Sequence, residues 1–204
     1  MNLLKKTIAV VVILTALNAQ GQDKVLMNAF SKSYDYEAVQ KYDAAIAALN
    51  AVYNASSYEI NIRMGWLNYL AGKNKESVAF YQKAIVLMPA ATEPLWAIIN
   101  PFTNAENWKE IEKTYLSILK IDPKNTTANY NLGLIYYYRK DYINAKKCFD
   151  ISLNLYPFGY NNMLMSAWTN YFLGNKNQAL TLFNKSLLYS PNNSSALEGL
   201  SLIK

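Results

Sequence analysis

Three closely spaced carboxylates are the part of the chain that most resembles a catalytic site. Glu106, Glu110 and Glu112 lie in one short segment, and a pair of carboxylates can perform the chemistry of a glycosidase. Acidic residues are also common at the start of a helix, where they complement its dipole, and we interpret these three in that way. The chain has no histidine, which removes Ser-His-Asp chemistry, Cys-His pairs and most catalytic zinc sites. The sequence therefore predicts a protein that is not an enzyme and that uses no metal ion or cofactor.

The only cysteine, Cys148, follows Lys146 and Lys147. Neighbouring cations lower the pKa of a thiol, but a lone cysteine among the apolar residues of a helix more often fills space in the core. A single cysteine also excludes an intramolecular disulfide. The stability of the fold is therefore expected to come from packing.

The composition favours helices and argues against nucleic-acid binding. The 204 residues are 52% hydrophobic and include only seven Gly and six Pro, too few for the many turns of an all-β fold. The formal net charge is +6. Only Arg63 and Arg139 are arginines and the lysines are scattered, whereas nucleic-acid recognition favours clustered arginines and basic stripes.

The first 21 residues have the features of a signal peptide. Lys5 and Lys6 precede an apolar run at 7–17, and small residues follow at 19–21. The run is about half of the roughly 20 residues that cross a bilayer. We therefore expect cleavage after Gly21 and no membrane span in the mature chain, with a permanent anchor as the alternative. The mature charge would be 18 − 14 = +4. Frequent Asn, Lys, Ile and Tyr favour a bacterial periplasm, with secretion as the alternative location.

A 34-residue period organises the rest of the chain. Four of the six prolines fall on it: Pro89, Pro123, Pro157 and Pro191. Aromatic residues recur eight positions before them: Tyr81, Tyr115, Phe149 and Phe183. Proline ends a helix because it lacks an N–H and clashes with the preceding turn, and glycine at 72 and 174 suits the left-handed residue that closes a helix. The period predicts units of helix, turn, helix and stop.

The repeated pattern resembles the tetratricopeptide repeat family, whose motif is W-x2-L-G-x2-Y, then A-x3-F, then P. Residues 126–159 match best, with Leu132-Gly133, Tyr136, Ala145, Phe149 and Pro157, although Asn129 stands where Trp is usual. The resemblance implies an all-α fold. It would be a right-handed superhelical solenoid of antiparallel helix pairs, closed by a C-terminal capping helix.

The resemblance divides the mature chain into repeats of unequal quality. The expected segments are a divergent N-terminal helix pair at 22–57, repeats at 58–91, 126–159 and 160–193, a degenerate repeat at 92–125, and a capping helix at 194–204. The degenerate repeat has Ile99, Ile111 and Ile118 where small residues belong, so we expect it to pack more loosely or at an altered angle. In the repeat at 58–91, Ser77 replaces the close-contact alanine. We therefore expect that position to accept a larger side chain more readily than Ala145.

In this family the first helix of each repeat lines a concave groove, and four of its positions form one stripe. Carrying those positions over gives a predicted partner-binding set, called the stripe below: Tyr34, Trp66, Tyr69, Trp96, Asn100, Tyr130, Tyr137, Trp168 and Tyr171. Tyr and Trp offer rigid apolar area with a polar tip and are frequent at binding hot spots. The set is aromatic and nearly neutral, so it does not resemble grooves that grip a carboxylate with Lys and Arg.

These features favour a non-enzymatic scaffold or adaptor in the bacterial cell envelope that binds a segment of a partner protein. Aromatic platforms also suit sugar rings. One alternative is therefore a component of a polysaccharide synthesis or export machine that contacts glycan or an outer-membrane barrel. A second alternative is a structural homo-oligomer formed by end-to-end stacking, because the last helix has several apolar residues: Leu197, Leu200, Leu202 and Ile203.

Overall fold

A computed structural model describes residues 23–203, and all regular secondary structure in this range is α-helical. The signal peptide predicted at 1–21 lies outside the described residues. The helices are α1 (23–38), α2 (Tyr42–Asn50), α3 (Tyr58–Leu70), α4 (Asn74–Leu87), α5 (Glu93–Asn104), α6 (Trp108–Ile121), α7 (Thr126–Tyr138), α8 (Tyr142–Leu155), α9 (Tyr160–Phe172), α10 (Lys176–Tyr189) and α11 (Ser194–Ile203). None of the helices in the described part of the chain is long and apolar enough to cross a membrane.

The prolines on the 34-residue lattice end the second helix of each repeat, as predicted. The residue before each of them adopts the same extended conformation, with φ between −130° and −138° and ψ between 76° and 88°: Met88, Asp122, Tyr156 and Ser190. Proline disfavours the helical region for the residue that precedes it. The helix therefore has to stop at the same place in every repeat.

The turn between the two helices of each repeat contains a left-handed residue, and these residues also lie 34 apart. Gly72 has a φ of 74° and Gly174 a φ of 77°, as the sequence predicts. At the same position Glu106 has a φ of 52° and Lys140 a φ of 63°. Side chains with a Cβ rarely adopt this conformation. In two of the four turns, the left-handed position is therefore occupied by a residue that does not favour this backbone conformation.

The chain divides into two compact units, with the boundary after Glu106. The first unit is described over residues 23–106 and contains α1 to α5. The second is described over 107–203 and contains α6 to α11. The boundary falls inside the segment 92–125, which the sequence identifies as the poorest repeat.

The core of the first unit lies where α3 and α4 cross. Gly65 and Ser77 meet at this crossing: a Cβ added at Gly65 would lie 2.6 Å from the ring of Tyr81. Tyr81 is 1% exposed and Ser77 is fully buried. The Ser77 hydroxyl donates a hydrogen bond to the carbonyl oxygen of Gly65 at 2.7 Å. Complete burial and a buried hydrogen bond hold serine at position 77, and both argue against the expectation that this position is more tolerant than Ala145.

The second unit repeats this arrangement with different side chains. A Cβ at Gly133 would lie 2.7 Å from the ring of Phe149, and Ala145 and Phe149 are both fully buried. In the next repeat Ala179 and Phe183 are fully buried as well. In three of the four repeats, the aromatic residue eight positions before the proline therefore fills the space between two helices, as predicted. Helix α11 packs on α9 and α10.

Candidate partner-binding surface

Within each compact unit, the first helices of successive repeats lie next to each other. Helix α3 contacts α5 in the first unit, and α9 contacts both α7 and α11 in the second. Side chains at equivalent positions of these helices therefore lie on one face of their unit. The stripe residues belong to this face.

The stripe in the first unit is built on a buried arginine. The side chain of Arg63 on α3 is 7% exposed and pairs with Glu37 of α1. Its Nε donates to Ser33 Oγ at 3.0 Å, and its guanidinium carbon lies 3.7 Å from the centroid of the Tyr34 ring. The Trp66 indole N–H donates to the second oxygen of Glu37 at 2.7 Å. We call these five residues the Arg63 network.

The Arg63 network connects α1 to α3 and fixes two stripe residues, Tyr34 and Trp66. Removal of an ion pair from water is costly unless the charges are matched and hydrogen-bonded, and both carboxylate oxygens of Glu37 have a partner. One terminal nitrogen of Arg63, NH2, is buried and has no hydrogen-bond partner among the described residues. The sequence analysis missed this network. The available signal was an arginine between Ile60 and Leu67 on the buried face of a helix.

The other stripe residues of the first unit differ in exposure. Tyr34 is 56% exposed, Trp66 and Tyr69 are half-buried, and their rings lie 5.7 Å apart. Trp96 is half-buried and Asn100 is exposed on α5. This part of the stripe therefore exposes aromatic side chains to solvent. Two of them are also held from below, because Tyr34 contacts the Arg63 guanidinium and Trp66 is hydrogen-bonded to Glu37.

In the second unit, Trp168 takes part in the internal packing. Its indole N–H donates to Ser195 Oγ of α11 at 2.8 Å, and its ring lies edge-to-face with Phe183 at 5.0 Å. Trp168 and Tyr171 belong to the apolar contacts that hold α11 on α9 and α10. Trp168 therefore helps to fix the C-terminal helix, and any partner would reach only its remaining exposed part.

Six half-buried or exposed aromatic rings, three of them stripe residues, are connected by ring contacts in this part of the second unit. They are Tyr137, Tyr138, Tyr142, Trp168, Tyr171 and Phe172, called the aromatic cluster below. Tyr142 stacks on Phe172 with ring centroids 4.8 Å apart, and Tyr137 lies 6.0 Å from Phe172. Tyr138 is 76% exposed and Phe172 is 46% exposed. The sequence analysis missed Tyr138, Tyr142 and Phe172, because they lie at or beside the turns within the repeats and outside the four carried-over positions.

Tyr130 lies away from the aromatic cluster. Its ring contacts Phe149, with centroids 5.9 Å apart. The stripe of the second unit is therefore not continuous in its ring contacts. Tyr137, Trp168 and Tyr171 belong to one group of rings, whereas Tyr130 lies about two helical turns before Tyr137 on α7.

Burial raises the pKa of two stripe tyrosines of the second unit, Tyr130 and Tyr137. Burial raises the pKa of Tyr137 to about 12, with the neighbouring Tyr142 and Tyr138 adding to the shift. Burial also raises the pKa of Cys148 to about 11, which outweighs the adjacent Lys147 and leaves an unreactive thiol.

Two of the three acidic residues singled out in the sequence pair with a cation. Glu110 lies in the first turn of α6 and pairs with Lys113 at 2.5 Å. Glu112 pairs with Arg139, which caps the C-terminal end of α7. Glu106 occupies the left-handed turn at the end of the first unit. Across residues 23–203, no three His, Cys, Asp or Glu side chains are grouped so that they could hold a metal ion.

Comparison with known proteins identifies the repeat and the fold. Residues 126–158 match the family model of the tetratricopeptide repeat, but no curated protein matches the chain. The structure is similar to the crystal structure of a tetratricopeptide repeat protein from Parabacteroides merdae, with a TM-score of 0.70 and 21% identity over 88% of this chain and 72% of that one. A structure of MamA matches with a TM-score of 0.66 and 16% identity, covering 81% of this chain and 91% of its own.

At these identities the solved structures show a common fold, and the sequence match lies in the segment where the motif is best kept. The matched segment 126–158 comprises α7, α8 and the proline that follows them. The chain therefore contains one tetratricopeptide repeat that is recognised in sequence, at 126–158, within an all-helical fold of sequentially packed helix pairs that is similar to solved tetratricopeptide repeat structures.

Proposed function

We propose that this protein is a non-enzymatic scaffold that holds a segment of a partner protein on the face that the first helices form within a compact unit. The observation that carries the proposal is the concentration of half-buried and exposed aromatic side chains on that face in both units. Rings of this kind supply contact area at a low cost in conformational entropy. The family resemblance supports the same conclusion, because tetratricopeptide repeats commonly bind proteins.

The arrangement of the rings also supports binding. In the first unit Trp66 is fixed by Glu37, and Tyr34 covers the Arg63 guanidinium. In the second, Tyr137, Tyr142 and Phe172 brace one another. Preorganised side chains lose less freedom when a partner binds, and that saving appears as affinity.

Tyr138 and Leu188 form a matched pair for a binding test, because each is 76% exposed. Tyr138 belongs to the aromatic cluster, whereas Leu188 lies on the second helix α10. After a partner has been isolated from envelope extract and purified, calorimetry would compare the variants Tyr34→Ala, Tyr138→Ala and Leu188→Ala. We expect the two tyrosine variants to weaken binding, and a hot spot would lose about 2 kcal/mol, or roughly thirtyfold.

The salt dependence of the same complex is a second readout. The exposed part of the aromatic cluster carries no charge, so affinity is expected to change little between about 0.05 and 0.5 M NaCl. Normal binding by both tyrosine variants, together with loss of the complex in salt, would contradict the proposal. The lysines of the second helices would then be the better candidates.

We further propose that the protein works in the bacterial cell envelope after export and cleavage following Gly21. The charged start, short apolar run and small residues at 19–21 support this location. Intact-mass measurement of the natively produced protein tests it: the expected N-terminus is Gln22. A full-length chain in the membrane fraction would contradict it.

Self-association is a second candidate function, supported by the last helix. Leu197 is 47% exposed and Leu202 is 48% exposed, while Leu200 and Ile203 pack against the C-terminal core. Sedimentation velocity at several concentrations distinguishes the two functions. An oligomer that Leu197→Lys and Leu202→Lys dissolve would favour end-to-end stacking, and a monomer at all concentrations would exclude it.

A further inference from the structure

A cleft in the second compact unit lies at the N-terminal ends of α7 and α9, and it has a volume of about 480 Å³. The volume is within the usual range for a small-ligand site, roughly 300 to 1,000 Å³. The side chains that matter most to its chemistry are Tyr130, Asn131, Tyr156, Tyr160, Asn161 and Asn162. We call it the tyrosine cleft. It shares only Tyr130 with the stripe.

The tyrosine cleft is lined by uncharged residues. The lining residues are tyrosine, asparagine, threonine and glycine. A neighbouring depression shares Thr126 and Tyr156 and adds one residue of each charge, Asp122 and Lys124. The surroundings therefore favour neither an anion nor a cation.

Two polar atoms at the tyrosine cleft have no partner in the described part of the chain. They are the hydroxyl oxygen of Tyr160 and the side-chain oxygen of Asn162, and both are buried. A buried polar atom that lacks a hydrogen bond is costly. Both atoms are closed to solvent, so hydrogen bonds to a ligand would come instead from the exposed side-chain amide of Asn161. Gly159 also offers no side chain to cap the first N–H groups of α9.

Aromatic rings continue from the tyrosine cleft onto the surface. Tyr160 lies 6.4 Å from Tyr189, and Tyr189 lies 5.9 Å from Phe158. Tyr156, Phe158 and Tyr189 are each more than half exposed, at 62%, 65% and 58%. One face of a pyranose ring carries C–H groups that pack on an aromatic face, while its hydroxyls lie at the edge. A row of aromatic rings beside a cleft that contains asparagine side chains is suited to contacts with successive sugar units of an oligosaccharide.

We propose that the tyrosine cleft is a binding site for a neutral oligosaccharide. The ligand stacks on Tyr156 and the adjacent rings, and its hydroxyls bond to the exposed side-chain amide of Asn161. An extended peptide is less suited to this cleft, because it would need apolar pockets for alternate side chains or a row of backbone partners. This site goes beyond the proposed scaffold function and does not depend on it.

The test is calorimetric titration of the full mature chain with neutral hexasaccharides of glucose, mannose and N-acetylglucosamine. At least one is expected to bind with a Kd below about 1 mM, and with little dependence on salt. Tyr156→Ala and Asn161→Ala should each weaken binding about tenfold or more. Both side chains are exposed, so neither replacement is expected to affect folding. Trp108→Ala, which removes a 55% exposed aromatic ring on α6 outside the cleft, is the matched control and should change affinity less than about twofold.

Three outcomes would overturn the proposal. The first is that none of the hexasaccharides binds at about 10 mM. The second is that binding survives both Tyr156→Ala and Asn161→Ala. The third is that an oligogalacturonate or an uncharged alanine-serine hexapeptide binds more tightly than every neutral sugar and is weakened by the same two variants, which would assign the cleft to an anion or to a peptide.

Discussion

Trp66 and Trp168 occupy the same repeat position in the two compact units, since 168 − 66 = 102, or three repeats of 34 residues. Each is followed three residues later by a tyrosine, and each Trp–Tyr pair has ring centroids 5.7 Å apart. Their indole N–H groups nevertheless point to opposite neighbours. Trp66 donates to Glu37 on the preceding helix α1, whereas Trp168 donates to Ser195 on the following helix α11.

The difference shows that one sequence pattern can serve two structural purposes. In the first unit the acceptor is a carboxylate that also neutralises buried Arg63, so the contact belongs to a charged network. In the second unit the acceptor is a neutral hydroxyl, and the ring itself fills space beside Phe183. The first connection should therefore depend mainly on charge, and the second mainly on packing.

The largest expected effect comes from removing the carboxylate of the first unit. Glu37→Ala leaves the guanidinium of Arg63 buried without a counter-charge. Breaking a buried pair in this way typically costs about 3 to 5 kcal/mol. Because Glu37 is itself 23% exposed, we expect about 3 kcal/mol in urea unfolding.

Asp43→Ala is the matched control for Glu37→Ala. It breaks an ion pair with Lys73 whose side chains are 83% and 45% exposed, and it should cost less than about 1 kcal/mol. Equal costs for the two variants would show that the Arg63 network does not depend on the buried charge.

A larger side chain at equivalent buried positions compares the crossing of α3 and α4 with the crossing of α7 and α8. Ser77→Leu and Ala145→Leu introduce the same side chain at fully buried positions 68 residues, or two repeats, apart. Each should lower the free energy of unfolding by about 1 to 3 kcal/mol, and Ser77→Leu should be at least as harmful because it also removes the hydrogen bond to Gly65. Urea midpoints measure both. A nearly neutral Ser77→Leu would support the original expectation of a tolerant position.

Removal of the neutral acceptor in the second unit should have a smaller effect. Ser195→Ala eliminates the hydrogen bond to the Trp168 indole and keeps the ring packing. The expected cost is about 1 kcal/mol, seen as faster amide hydrogen exchange in α11. An effect as large as that of Glu37→Ala would mean that the two units do not differ as described.

The smallest expected effect is a gain in stability. Lys140 holds a φ of 63° where Gly72 and Gly174 occupy the equivalent turns. Lys140→Gly should raise stability by about 0.5 to 1 kcal/mol. Gly174→Ala is the reciprocal test: open space surrounds its Cβ position, so only the backbone conformation opposes the change, and stability should fall. Thermal melts measure both, and opposite signs are the expected result.

The sequence predicted the helical elements well because their boundaries depend on local chemistry. Proline determines the conformation of the residue before it, and glycine accepts the left-handed turn, whatever the rest of the chain does. The Arg63 network could not be predicted in the same way, because it joins residues on α1 and α3 whose contact depends on how two helices meet. The aromatic cluster was only partly predicted, since Tyr142 and Phe172 meet across different repeats.

Site-specific photo-crosslinking in cells tests most directly whether the first-helix face binds a partner protein. Benzoylphenylalanine would replace exposed Asn100 of the stripe, Tyr138 of the aromatic cluster, or Leu188 on the second helix α10 as the control. We predict covalent adducts with a partner polypeptide from Asn100 and Tyr138 and none from Leu188. Adducts from Leu188 alone, or from none of the three positions, would contradict the proposed function.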